Sequence, residues 1–293
     1  MPALNSRHNS AVQLLFGLIK LVRPKQWIKN AFVFAPLLFS GLFLNWLSVQ
    51  QAIVVALLFC LASSATYILN DLKDIEKDRL HPTKSKTRPL ASGVVQPIHA
   101  KFLMGTFYLI LALAAIFYLH MMLVIAAYLL LNVVYSHYLK YQPVLDIFTI
   151  AAGFVLRVYA GAVAIAVPIS SWMFITTLCL ALYLASIKRR QELNLTGIAS
   201  RKTLEQYSLS LLNRYAEMSA IGALLFYSIF VMSEKPSLIV SIPLVLFGIF
   251  RYWYITDIHH QGESPTDTLL YDKQMLTTAF LWVIVCIYGL WPV

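Results

Sequence analysis

The sequence predicts an all-α polytopic membrane protein, with about nine transmembrane helices around a central cavity that opens to the cytoplasmic face, and three observations carry that prediction. Of 293 residues, 59% are hydrophobic and only 12% are charged, and the mean hydropathy is +0.71. Apolar stretches long enough to cross the hydrocarbon core recur along the chain. Lysine and arginine crowd alternate connections between them, which is the pattern that orients helices in a bilayer.

Taken in order, the expected spans are about 30–45, 46–70, 100–118, 121–138, 143–163, 171–188, 209–232, 237–256 and 274–291. The first has an alternative start near Val12, as a longer segment lying partly in the interface. Basic residues gather before the first span (Arg7, Lys20, Arg23, Lys25, Lys29) and after the second, fourth, sixth and eighth, whereas the opposite loops carry little beyond Lys235. The positive-inside rule therefore places the N-terminus and these loops in the cytoplasm and, for a bacterial-type cell, the chain in the cytoplasmic (inner) membrane. No linker or low-complexity stretch divides the spans. Residues 1–293 are expected to form one membrane domain, capped by cytoplasmic loops at about 71–100, 189–208 and 257–273.

The net charge of +10 sits on that basic face, where it serves topology and anionic headgroups first and an anionic substrate second. Nucleic acid is excluded as a partner, because no soluble basic domain exists to carry it. Cys60, Cys179 and Cys286 fall inside apolar spans without metal-ligand spacing and read as small core residues. Met1 to Ser10 is polar and no small-residue cleavage site follows a short apolar core, so no cleaved secretory signal is expected. Oligomeric state is left open, a homo-oligomer included.

The most informative segment is NDLKDIEKDRLHPTKSKTRPLASG, Asn70 to Gly93. Asn70, Asp74 and Asp78 recur at i, i+4 and i+8, which on a helix forms one oxygen-bearing stripe, flanked by Asp71. Like charges on a stripe repel unless a cation sits among them, and all-oxygen ligation suits Mg²⁺ better than zinc. Ser63, Thr66 and Tyr67 extend the stripe into the membrane, which reads as the lining of a water-accessible cavity. Pro82 and Pro89 stop the following basic run from continuing as one helix, so a loop carries Arg79, His81, Lys84, Lys86 and Arg88. Such a loop can turn its cations back over a metal and a polyanion.

In the segment Tyr135 to Arg157, Asp146 and Arg157 lie inside an apolar span, where ionisable groups are costly and face a polar cavity or a partner. Their separation is about three helical turns, so both project from nearly the same face. Asp146 suits the metal stripe or an interhelical ion pair, and Arg157 suits a phosphate held bidentately. Tyr135 and Lys140, at the facing helix end, suit the same anion. Lys188-Arg189-Arg190-Gln191-Glu192 closes the sixth span and is, by itself, a common topology signal. RPKQWIKN, Arg23 to Asn30, combines cations with an interfacial tryptophan and reads either as an anchor or as a lipid-phosphate site. The loop Gly262 to Gln274 reads as a lid or a solvated turn, and His259-His260 lacks the companions a zinc site requires.

Together these motifs are familiar. The NDxxDxxxD pattern at Asn70 to Asp78 resembles the intramembrane UbiA-type prenyltransferase superfamily. RPKQWIKN, the HP…K…RPLASG segment, YSHYLK with Asp146, GFVLR, KRRQE and the GESP loop resemble its decaprenyl-phosphate phosphoribosyltransferase branch over Arg23 to Asp272. Two departures stand out. Asp146 is followed four places on by Ile150 rather than the second aspartate of a DxxxD motif, which argues against an ordinary prenyl-diphosphate donor site. HPTKSKTRP is one residue longer than the branch pattern HPxKxxRP, which leaves open which of Lys84, Lys86 and Arg88 takes which role.

The resemblance implies Mg²⁺-dependent transfer of 5-phosphoribose from phosphoribosyl diphosphate to a polyprenyl phosphate of decaprenyl type, with release of diphosphate. It implies metal binding by Asn70, Asp71, Asp74 and Asp78, with Asp74, Asp78 and Asp146 catalytic. Donor phosphates would fall to Lys84, Arg88, Tyr135, Lys140, Arg157, Lys188, Arg189 and Glu192, and the lipid phosphate to Arg23, Lys25 and Lys29. Two rival expectations stand beside it. One is a UbiA-type enzyme moving a prenyl group from its diphosphate to an aromatic or other small acceptor. The other is a transporter or flippase of a phosphorylated metabolite or lipid, which intramembrane Asp and Arg also suit but which needs access from both faces, whereas the charges here gather on one.

Overall fold

The computed structural model describes residues 2–80, 83–196, 202–258 and 265–291, and no strand occurs among them. Thirteen helices follow in order: α1 Pro2–Val22, α2 Ala35–Phe39, α3 Trp46–Lys73, α4 Ile75–Arg79, α5 Lys84–Thr87, α6 Pro97–Phe117, α7 Leu119–His137, α8 Leu145–Ala164, α9 Ser171–Thr196, α10 Leu209–Glu234, α11 Ile242–Ile258, α12 Pro265–Tyr271 and α13 Lys273–Gly289. His81, Pro82, His259, His260 and the Gly262–Ser264 part of the late loop lie outside the described residues.

Seven segments are long and apolar enough to cross a bilayer: α3, α6, α7, α8, α9 through Leu195, α10 and the run Pro236–Ile258. Among the described residues, seven of the nine expected spans meet this length and composition, and the other two fall short for physical causes. Residues 30–45 form no single helix; 3₁₀ turns at Pro24–Phe34 and Leu42–Leu44 flank the short α2. Pro36 sits in the first turn of α2 and Gly41 turns the chain at φ 77°, so neither side can be extended as an α-helix. This broken segment lies backbone to backbone against α8: a Cβ on Gly161 would stand 2.0 Å from the carbonyl oxygen of Val33, so no other residue fits there. At the far end α13 has 17 residues. At 1.5 Å per residue it spans about 25 Å, short of a hydrocarbon core of about 30 Å.

The chain falls into two compact units, 1–30 with 56–129 and 31–55 with 130–293. In the first, Leu21, Ile68, Leu90, Val95 and Ala100 form a core that ties α1 to the end of α3, the loop after α5 and the start of α6. A Cβ on Gly17 would lie 2.7 Å from Val95 and 2.9 Å from Val94, so α1 rests directly on that loop. In the second unit α9 packs along both α8 and α10. Tyr183 and Ile187 of α9 pack with Ala216 and Ala220 of α10 and with Ile249 and Tyr252 of α11.

Candidate active-site residues in two ion-paired clusters

The first cluster forms where α3 ends. The stripe expected of Asn70, Asp74 and Asp78 is interrupted, because α3 stops at Lys73 and Asp74 takes φ −98°, ψ 9° before α4. The hydrogen-bond ladder nevertheless continues through the bend, from Asp74 N–H to Asn70 O at 3.0 Å and from Asp78 N–H to Asp74 O at 2.8 Å. The bend leaves Asn70 and Asp74 half-buried and puts Asp71 and Asp78, seven residues apart, in the interior at 3% exposure each. Seven residues is two turns, so these two carboxylates share a face.

Cations arrive from both sides. Arg88 Nη1 donates to Asp71 Oδ1 at 2.7 Å and to Asp78 Oδ2 at 2.6 Å. Arg23 Nη2 donates to the same Asp71 Oδ1 at 2.6 Å, and its guanidinium lies 4.8 Å from the ring centroid of Tyr67. Lys84 Nζ stands 4.0 Å from Asp78 Oδ1. The chain bends twice to deliver these groups. Arg23 follows α1 in the left-handed region at φ 57°, the usual conformation for turning a chain off a helix end but one that costs a non-glycine residue about 1 kcal/mol. Arg88 is extended at φ −91°, ψ 125°, just past the single turn α5, and Pro89 and Leu90 after it are buried. In the described part of the loop, from Thr83, Arg88 is the cation that seats on the carboxylates, whereas Lys86 and, before the loop, Arg79 are exposed; Arg79 pairs with Glu76 at 2.9 Å.

Of the residues expected to extend the stripe, Ser63 receives Asn30 of the N-terminal segment and Thr66 bonds within its own helix, while the neighbouring Ser64 also holds that segment. Ser64 Oγ donates to Val22 O at 2.9 Å and accepts from Trp27 Nε1 at 3.0 Å. Asn30 Nδ2 reaches Ser63 Oγ at 3.4 Å and Cys60 Sγ at 3.2 Å, and Thr66 Oγ1 bonds to Ala62 O of its own helix at 3.0 Å. Trp27 and Asn30 therefore dock RPKQWIKN on α3. Arg23 is directed at Asp71, Lys25 is exposed and Lys29 is half-buried.

The second cluster surrounds Asp146 in the first turn of α8, completely buried. Arg189 Nε approaches Asp146 Oδ2 at 2.9 Å and Tyr207 OH donates to Asp146 Oδ1 at 2.7 Å. Arg189, 1% exposed, also pairs with Glu192 and reaches Tyr135 OH at 3.4 Å. The helix entry is constrained as well. Val144 has φ 69°, ψ −50° and Leu145 N–H bonds to Pro143 O at 2.8 Å, the geometry of a strained γ-turn. Tyr207 OH accepts the Val144 N–H at 2.6 Å, so one phenol pins both the turn and the carboxylate. Burial, reinforced by the hydrogen bond to Asp146, pushes the Tyr207 phenol well above its ordinary pKa. Asp146 was expected to assist a metal; the structure places it in an interhelical ion pair.

Arg157, on the same α8 face, donates to Gly153 O at 2.7 Å and lies 5.4 Å from the Phe154 ring centroid. Lys140 Nζ lies 5.0 Å from the Tyr141 ring centroid, and Lys188 is half-buried. Three interactions of this unit have no counterpart in the sequence reading, which takes Arg190 and Gln191 only as part of a terminal basic cluster. Arg190 is held by Asn213 at 3.0 Å, Thr256 at 3.2 Å and Asp257, while Gln191 Nε2 donates to Thr256 O at 2.7 Å. Arg251 grips Asp272 at 3.1 and 2.7 Å, and Asp272 caps α13 through Met275 N–H at 2.8 Å. Tyr207 is the third. A partner for Arg251 is demanded by its place inside an expected span, whereas Arg190 lies past the expected end of the sixth span and nothing local marks Tyr207.

Asn70, Asp71, Asp74 and Asp78 form an all-oxygen donor set, the chemistry a hard divalent cation requires. Among the described residues, no three His, Cys, Asp or Glu side chains converge as a ready-made metal group. The residue types suit Mg²⁺ by their oxygen chemistry alone, while Asp71 and Asp78 are held by Arg23 and Arg88 rather than grouped around one point.

The fold and these clusters define an intramembrane helical enzyme that gathers acids and arginines within its transmembrane units. Residues 31–284 match the UbiA prenyltransferase family, and the chain belongs to it; it is a transferase and a multi-pass membrane protein. It is 34% identical to a decaprenyl-phosphate phosphoribosyltransferase of Mycolicibacterium smegmatis, over 92% of this chain and 91% of that one. To the protein of the same name from Corynebacterium glutamicum it is 31% identical, over 95% and 88%. In fold it is similar to a UbiA homolog from Archaeoglobus fulgidus solved bound to GPP and Mg²⁺, with a TM-score of 0.73 at 22% identity, over 93% of this chain and 98% of that one.

Proposed function

We propose that the protein transfers 5-phosphoribose from phosphoribosyl diphosphate to a long-chain polyprenyl (decaprenyl-type) phosphate, with Mg²⁺, and releases diphosphate. The observation that carries this reading is the Asp71–Arg88–Asp78 cluster, in a chain about one-third identical to relatives named for that reaction. A donor whose leaving group is a diphosphate needs carboxylates for the metal and guanidiniums for the anion, and here the two kinds of group lie within bonding distance.

Asn70, Asp71, Asp74 and Asp78 would hold Mg²⁺, which when bound supplies charge neutralisation to the departing diphosphate. Arg88 and Lys84 bind donor phosphate, and Arg23 orients Asp71. The ribose C1–O bond to diphosphate breaks, an oxygen of the acceptor phosphate bonds to C1, and the pair of electrons leaves with diphosphate. The acceptor is anionic near neutral pH, so no general base takes part and catalysis rests on orientation and preorganised charge. Tyr135, Lys140, Arg157, Lys188 and Glu192 are assigned to donor phosphates, with Arg189 oriented by Asp146, and Lys25 and Lys29 to the lipid phosphate. The basic loops support a cytoplasmic active face in the inner membrane, where a soluble phosphorylated donor is available.

Membranes containing the protein, supplied with labelled phosphoribosyl diphosphate and polyprenyl phosphate, are expected to form a labelled lipid that requires Mg²⁺. Label entering lipid-soluble product only from a prenyl diphosphate and a small acceptor would replace this reading with the prenyl-transfer one.

A further inference from the structure

Arg88 occupies a position between two carboxylates that a divalent cation would also seek. Its Nη1 lies 2.7 Å from Asp71 Oδ1 and 2.6 Å from Asp78 Oδ2, at hydrogen-bond distance from both. Two buried carboxylates are then already matched by the guanidiniums of Arg88 and Arg23, with Lys84 at 4.0 Å from Asp78. Adding a dication to a neutralised, poorly solvated cluster is opposed by like-charge repulsion.

We propose that Arg88 is the resident counter-cation of Asp71 and Asp78, displaced when a divalent metal binds, so that the cluster takes metal weakly by itself and strongly when a diphosphate group arrives to receive the displaced guanidinium. This inference rests on the Mg²⁺-dependent reading above. Both side chains have a path outward, at 29% exposure for Arg23 and 26% for Arg88, and two features single out Arg88 as the group that moves. It stands on an extended residue in a loop, whereas Arg23 is fixed at the turned end of α1 and stacked over Tyr67. The loop itself is anchored by buried Pro89, Leu90 and Val95, the last packed against Gly17, so the swing belongs to the side chain and not to the backbone. A guanidinium leaving two carboxylate oxygens carries the planar donor fork that phosphate oxygens accept bidentately. Metal and anion are then coupled through one side chain, and the coupling is reciprocal.

The test uses Mn²⁺ as a spin probe on the purified full-length protein in detergent, without donor or lipid acceptor, with and without inorganic diphosphate, after correction for the Mn²⁺–diphosphate complex in solution. Wild type is expected to bind Mn²⁺ weakly alone and more tightly with diphosphate. Arg88→Gln is expected to bind Mn²⁺ alone more tightly than wild type by a factor of about 5 to 150, the usual range of coupling, and to lose most of the gain from diphosphate. Arg88→Lys, which keeps a charge without the fork, is expected to fall between the two, and it serves as the informative variant where Arg88→Gln does not fold. Mn²⁺ affinity in either variant equal to or below that of wild type would overturn the displacement while leaving metal use intact. Wild type that binds no Mn²⁺ in either condition would instead remove the reading on which the proposal rests.

Discussion

Two clusters in this molecule satisfy the same chemical demand in opposite ways. At the end of α3, Asp71 and Asp78 take their arginines from a loop and from a helix terminus, both of which remain a quarter or more exposed at the side chain. At the start of α8, Asp146 takes Arg189 from the body of a neighbouring long helix, and both are sealed at 1% exposure or less. A buried ion pair on rigid elements contributes geometry and cannot exchange partners without leaving a bare charge behind. One whose cations are partly exposed at the side chain can exchange a cation for a ligand. Under the proposed function, the contrast favours ligand exchange at the first cluster and positioning at the second.

The largest effects that test this contrast are on turnover. Asp71→Asn and Asp78→Asn should each lower kcat by about a hundredfold or more, since charge stabilisation at a departing diphosphate is worth several kcal/mol at roughly 1.4 kcal/mol per decade. Both variants should insert in membranes and keep a near-normal Tm, because Arg88 and Arg23 reach water when a carboxylate is lost. Turnover near wild type at saturating Mg²⁺ would erase the distinction between the clusters.

Asp146→Asn should show the reverse order of effects. It leaves Arg189 with Glu192 as its remaining counter-charge, and breaking a buried pair costs up to about 3–5 kcal/mol, read as a loss of folded protein and a lower Tm in detergent. The double replacement Asp146→Leu with Arg189→Met removes both charges and should recover much of that stability. A double variant no more stable than Asp146→Asn would show that the second cluster is not simply a strut. Tyr207→Phe probes the same cluster more gently. It removes the hydrogen bond to Asp146 and the acceptor for the Val144 N–H in its γ-turn, so a loss of about 1–3 kcal/mol is expected.

How much of this was legible beforehand depends on the range of the interactions. Hydropathy marks α3 and α6 to α10 because each span's burden of apolar residues is local. The segment 30–45 is equally apolar, yet Pro36, Gly41 and the approach of Val33 to Gly161 break it into turns, and only the last of these is a contact that a sequence does not display. In the acidic motif, the i, i+4, i+8 spacing drew attention to Asn70, Asp74 and Asp78. The bend at Asp74 and partners 17 and 48 residues away in sequence made Asp71 the hub instead. Asp146 was recognised as needing a partner, and Arg189 as basic, but the phenol of Tyr207, 61 residues on, joins them only once α8 and α9 have packed.

A third ion pair sits between these extremes and yields the smallest expected effect. Arg251 and Asp272 are about one-fifth exposed, and Asp272 is also the cap of α13. The guanidinium of Arg251, with help from the Met275 N–H, holds the Asp272 carboxyl below its ordinary pKa, while partial burial opposes the shift. A folded-state pKa depressed in this way gives stability that is complete above the unfolded value of about 3.9 and is lost as pH falls through the folded value. Asp272→Ala should therefore lower Tm by an amount matching about 1 kcal/mol for a lost cap. That difference should stay constant from neutral pH to about pH 5 and shrink below about pH 4. A gap between wild type and variant that instead widened on acidification would mean that the neutral acid, and not the carboxylate, is what α13 and Arg251 hold.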